Sequence, residues 1–130
     1  MLKIGNFNKI IVANWKLNGS IKFAKNYKEN VAFDNSKNTN KCLIVCPPLT
    51  LIPYLKSNKF YIGSQDCSIF NEGAYTGEIS SNMLNEIGCE FSIIGHSERR
   101  NIFKEDNKLI NNKVVNAINN KIIPIVCIGE

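Results

Sequence analysis

Five short apolar runs recur along the chain and restrict its fold more than any other feature. They are Ile10-Ile11-Val12-Ala13-Asn14, Cys42-Leu43-Ile44-Val45-Cys46, Phe60-Tyr61-Ile62-Gly63-Ser64, Phe91-Ser92-Ile93-Ile94-Gly95 and Ile122-Ile123-Pro124-Ile125-Val126-Cys127-Ile128. None alternates apolar with polar residues. Near-continuous β-branched runs suit strands covered on both faces, which is the environment of a parallel sheet. Pro124 sits near the start of its run, where a missing N–H is tolerated.

Helical patterns lie between the runs. Ser20 can cap a helix with Phe23, Ala24 and Tyr27 on one face. After Pro47-Pro48, Thr50 opens a short helix carrying Leu51 and Leu55. Ser80 to Ile87 carries Met83, Leu84 and Ile87, and Gly88 can stop it. Asp106 can cap a last helix whose stripe is Ile110, Val114, Ala117 and Ile118. Strand and helix alternate every 20 to 30 residues or so, the size of a βαβ unit. The fold class is therefore α/β with about five parallel strands. Periodicity leaves open whether the sheet is doubly wound or part of a barrel. No linker divides residues 1–130, and the polar stretch Asn35 to Asn40 reads as a surface turn within a single domain.

Bulk properties exclude several classes. With 44% hydrophobic and 21% charged residues in 130, the composition is that of a globular chain able to bury a core. The net charge is +5 and the pI about 9.0. Yet the lysines are scattered and Arg99-Arg100 is the only adjacent basic pair, so no nucleic-acid face is read. A solvated basic surface explains the charge, with some attraction for an anionic small substrate. Five cysteines without a CxxC pair, and one histidine, fit neither a disulfide framework nor a zinc site. A reduced, cytosolic protein is expected, with Cys42, Cys46 and Cys127 acting as small apolar residues. Met1 to Asn6 holds no sustained apolar run, and no stretch approaches the roughly 20 residues of a membrane helix.

Chemistry-bearing residues follow the strands. Asn14-Trp15-Lys16-Leu17-Asn18-Gly19 follows the first, and Gly95-His96-Ser97-Glu98-Arg99-Arg100 follows the fourth. In parallel α/β folds, functional side chains gather at the C-terminal strand ends. Lys16 is either a solvated surface lysine or a point charge that holds an anion. His96 is either structural or an electrophile. It precedes Ser97-Glu98, which has the form of a helix start with a Ser cap and an acid in the first turn. Such a start favours a neutral imidazole able to donate to a carbonyl oxygen. Glu98 either pairs with Arg99 or Arg100, or fixes Lys16. Gln65 to Glu78, with Gly73-Ala74-Tyr75-Thr76-Gly77-Glu78, is long for a βα connection, and loops of that size tend to be functional.

Taken together, these segments resemble the triosephosphate isomerase family. Asn14 to Gly19 resembles its opening active-site motif, Gly73 to Ser80 its third loop, Ile94 to Arg100 its electrophile motif, and Pro124 to Glu130 its fifth strand. Four matches in order cover essentially the whole chain. The resemblance implies a (β/α)₈ barrel, interconversion of dihydroxyacetone phosphate and glyceraldehyde 3-phosphate, no metal and no organic cofactor. It also implies a neutral electrophilic histidine working with a glutamate base. By position, Lys16 stabilises negative charge on substrate and enediolate, Asn14 helps bind substrate, His96 polarises the carbonyl, and Glu98 organises the pocket near Lys16. Thr76 and Leu17 fall at a homodimer interface, where Thr76 braces the neighbour's Asn14 and Lys16. Cys127 is a buried support. Asp66, after Ser64-Gln65, departs from the family's usual Asn.

A full barrel takes about 250 residues and eight strands, so an incomplete barrel is expected here. The family's base, lid and phosphate-gripping loops are expected beyond Glu130, and Glu130 itself matches a motif glutamate that is not the base. Open edges and bare apolar faces are expected to make the chain poorly soluble, partly molten or prone to associate, with negligible activity alone. Two other readings stand beside an isomerase fragment. One is half of a split isomerase, and the other is a non-catalytic α/β binding or assembly module.

Overall fold

The computed structural model describes residues 4–37 and 40–129. Glu130 and part of the polar stretch 35–40 lie outside the described residues. Five strands form one parallel sheet: β1 (Lys9–Asn14), β2 (Lys41–Cys46), β3 (Tyr61–Ser64), β4 (Phe91–Ile94) and β5 (Ile123–Val126). Their spatial order is the chain order, β1-β2-β3-β4-β5. A doubly wound sheet reverses direction at a switch point, whereas a barrel adds each strand to the same side of the last. The alternative left open by periodicity is thus decided for the barrel-type arc. Strands three to five are shorter than their apolar runs. Gly95, at φ +72°, turns the chain out of β4, and Phe60 packs into the core ahead of β3.

The connections are α1 (Ile21–Asn30), a 3-10 helix over Leu49–Tyr54, α2 (Ser81–Glu86), α3 (Ser97–Ile102) and α4 (Asn107–Asn119). Three caps are as the sequence suggests: Ser20 accepts from Phe23 N–H, Ser80 from Met83 N–H and Asp106 from Leu109 N–H. Two starts differ. The short helix after Pro48 begins at Leu49 rather than Thr50, capped by Pro48 without a side-chain bond. His96, not Ser97, caps α3.

The strands bury two faces. Leu43, Val45, Ile62 and Ile94 pack outward against Ala24, Leu51, Ile52, Leu55, Leu84, Ile110 and Ala117 of the helical layer. Cys42, Ile44, Cys46, Phe91 and Ile93 form the opposite face, with Ile4, Phe7, Tyr61, Ile123, Ile125 and Cys127 against it. Helical stripes differ from the pattern at single positions. Phe23 is half exposed and sets its ring edge-on to Trp15 at 5.0 Å. On α4, Ile118 faces solvent while Lys113 is buried. Four cysteines are buried, and burial pushes the Cys46 and Cys89 thiols up to about 12. Cys127 is only half-buried, because it follows the edge strand β5. No helix among the described residues is long and apolar enough to cross a membrane.

β1 and β5 are the edges of this sheet. Ile10, Ile11 and Val12 of β1 are each a third to a half exposed, as is Val126 of β5. Apolar side chains beside unpaired backbone groups favour association. The melting midpoint of the isolated chain is therefore expected to rise with protein concentration. A midpoint independent of concentration over a hundredfold range, with a monomer in sedimentation, would contradict this.

Candidate active site

The sheet order brings the exits of β1 and β4 to one mouth. Asn14 ends β1, and its Oδ1 accepts the Lys16 backbone N–H at 2.9 Å. That bond holds Lys16 at φ +55°, a left-handed conformation uncommon for a lysine. Such outliers persist where the surroundings over-determine them, and they gather at functional sites. The strained backbone aims the Lys16 ammonium across the mouth. Its Nζ donates to Glu98 Oε1 at 2.7 Å.

Glu98 belongs to the first turn of α3. Gly95 sends the chain from β4 into this helix, and a Cβ there would meet Ile110 and Arg100 at 3.0–3.1 Å. Because the turn is so tight, His96 becomes the cap. Its Nδ1 accepts the Glu98 backbone N–H at 3.2 Å. An Nδ1 that accepts leaves the ring proton on Nε2, the tautomer needed to donate to a ligand. The Glu98 Oε2 lies 3.4 Å from the same Nδ1. Lys16 engages that carboxylate at the shorter distance, 2.7 Å. The hydrogen bond from Lys16, opposed by slight desolvation and helped by the Lys16 charge, holds the Glu98 carboxyl below its ordinary value.

Asn14, Lys16, Leu17, Gln65, His96 and Glu98 line one cavity of about 410 Å³, with Arg99, Ile102 and Phe103 at its side. Of the residues singled out in the sequence, Thr76 stands apart. It lies on the exposed loop after β3 and does not line this cavity. In that loop the Phe70 and Tyr75 rings stack at 3.6 Å. Leu17 is almost fully exposed beside Lys16. The arginines leave Glu98 free for Lys16. Arg99 turns to Glu105 and Asp66, while Arg100 donates to the backbone oxygens of Gly95 and Cys127 and to Asn107 Oδ1.

Sequence reasoning passed over Gln65. Its Nε2 donates to Lys16 O at 2.8 Å and to Cys46 O at 3.0 Å, tying the loop after β1 to the end of β2. The available signal was an amide directly after a buried strand. No group of three or more His, Cys, Asp or Glu side chains among the described residues is placed to hold a metal ion.

A family model described as "Triosephosphate isomerase" matches residues 9–130. The chain belongs to the triosephosphate isomerase family. A triosephosphate isomerase from Aquifex aeolicus is 39% identical over 126 residues, covering 94% of this chain and 51% of that protein. One from Wolbachia sp. subsp. Brugia malayi is 43% identical over 124 residues, covering 93% and 51%. The crystal structure of the Bartonella henselae triosephosphate isomerase superposes with a TM-score of 0.84 at 31% identity, covering 93% of this chain and 52% of that one. The chain therefore spans about half the length of the family members it matches, and its five strands are the N-terminal portion of their barrel.

The pair across the mouth has a measurable signature. A carboxylate held below its unfolded value adds stability above that value and loses it as pH falls through the folded one. The Lys16–Glu98 contact is thus present at neutral pH and lost on acidification below the ordinary carboxylate range. Replacing Lys16 with Met is expected to raise the Glu98 midpoint, read by carboxyl ¹³C NMR. An unchanged midpoint would show that the two side chains do not meet.

Proposed function

We propose that this chain supplies the electrophilic half of a triose phosphate isomerase site, acting on dihydroxyacetone phosphate and D-glyceraldehyde 3-phosphate. The observation that carries this reading is the convergence of Lys16, His96 and Glu98 on one cavity. Isomerisation removes a proton next to a carbonyl and leaves charge on an enediolate oxygen, and the site must place donors where that charge appears. The Lys16 ammonium is such a donor and also a counter-charge for the substrate. The His96 Nε2–H is a second, able to polarise the carbonyl. Asn14 lines the cavity and fixes the Lys16 backbone. Glu98 holds Lys16 in place and is occupied in doing so, which makes it a poor base.

The proton is taken by a carboxylate outside these residues, from the rest of a barrel on this chain or on a second one. As a whole enzyme it works in glycolysis and gluconeogenesis in the cytoplasm, as a homodimer in which the loop bearing Thr76 enters the neighbour's site beside Leu17. Residues 1–130 act as one unit of that barrel.

His96 is the single histidine, so its imidazole resonance reports on the site without ambiguity. Dihydroxyacetone phosphate is expected to shift that resonance, and Lys16→Met to weaken binding roughly 10- to 100-fold, as expected for a charge-assisted hydrogen bond. In an assembly completed by the second half of a family member, His96→Gln is expected to lower kcat about 10²- to 10³-fold. No shift on adding substrate, together with full activity of the His96 variant, would refute the reading.

A further inference from the structure

The sequence leaves a negative charge at residue 66 without an assigned role. The structure surrounds it. Both Asp66 carboxylate oxygens accept from Lys113 Nζ at 2.8 Å. Lys113 is nearly buried on α4 and donates as well to Glu105 Oε1 at 2.7 Å. The Arg99 Nε lies 3.0 Å from Asp66 Oδ2 and 2.7 Å from Glu105 Oε1. Two cations, from α3 and α4, thus face two carboxylates, and the cluster is balanced. Balance matters at this depth, because an unmatched buried charge is costly where a matched one is not.

Arg99 also belongs to the site's own helix. It follows Glu98 directly, and its backbone N–H donates to His96 O at 2.9 Å. The residue before Asp66 grips the other side of the mouth, since Gln65 donates to the Lys16 carbonyl. Gln65-Asp66 at the exit of β3 therefore holds the Lys16 loop with one side chain and the helix of His96 and Glu98 with the next.

We propose that Asp66 is a positioning residue: by holding Arg99 and Lys113 it fixes α3, and so sets the reach from Glu98 to Lys16 across the mouth. The site it sets is the triose phosphate site proposed above. Asp66 touches no reacting atom and acts only through Arg99 and Lys113. Burial pushes its carboxyl up, opposed by the hydrogen bond and charge of Lys113 and by the charge of Arg99.

The test follows the Glu98 midpoint, by carboxyl ¹³C NMR, in Asp66→Asn. The variant keeps the shape and removes the charge. Loss of that charge alone, acting through space, moves the Glu98 midpoint down, because a neighbouring anion has gone. Loss of positioning moves it up, because the Lys16 hydrogen bond weakens. A rise towards the value seen in Lys16→Met, with native amide dispersion retained, supports the proposal. No change or a fall overturns it. Should Asp66→Asn fail to fold, Asp66→Glu decides, since it keeps the charge and lengthens the arm. Positioning by Asp66 predicts that the longer side chain raises the Glu98 midpoint as well, whereas a charge acting only through space leaves it in place, and an unchanged midpoint overturns the proposal. Neither readout uses substrate. Absence of triose phosphate binding would thus sink the functional reading while leaving Asp66 to be judged separately.

Discussion

A lysine ammonium meets a glutamate carboxylate 82 residues further along the chain, at 2.7 Å, and the arrangement of the site depends on that meeting. The contact itself stabilises little. Both side chains are about half exposed, and solvent screening leaves such exposed pairs little net energy. Its importance is geometric. It requires the exits of β1 and β4 to face one mouth, which a sheet adding each strand in chain order provides. A sheet with a reversal between β1 and β4 would send the connections to opposite faces.

The supports around that pair each constrain a backbone rather than the reactive atoms. Asn14 pins the strained Lys16. Gly95 makes the tight exit that turns His96 into a helix cap, and the cap fixes which ring nitrogen is left to donate. Arg100 spans the oxygens of Gly95 and Cys127, joining the ends of β4 and β5. Donors held this way need little rearrangement when charge develops near them, which is where preorganised sites derive their effect. Little of this adds to a hydrophobic core, so the site can be altered without unfolding the layer beneath it.

Much of the fold was legible because buried parallel strands write themselves as unbroken apolar runs, and Ser20, Ser80 and Asp106 act locally as caps. What failed to show depends on neighbours distant in sequence. His96 displaces Ser97 as cap only because Gly95 turns so sharply. Glu98 had two arginines next to it, and sequence could not tell that both are drawn away to Asp66, Glu105 and backbone oxygens. Lys113 left a trace, a charged residue on the Ile110–Ala117 face of a helix, but its partners come from the β3 exit and the turn before α4. Strand order cannot be read from periodicity, and the family motifs rather than the apolar pattern pointed to a barrel.

The most direct test is a crystal structure of this chain with dihydroxyacetone phosphate. One substrate molecule is expected in the cavity, with an oxygen within hydrogen-bond distance of Lys16 Nζ and its carbonyl oxygen facing His96 Nε2. A substrate seated elsewhere, or one touching Lys16 with His96 turned away, would contradict a single site shared between the two strand exits.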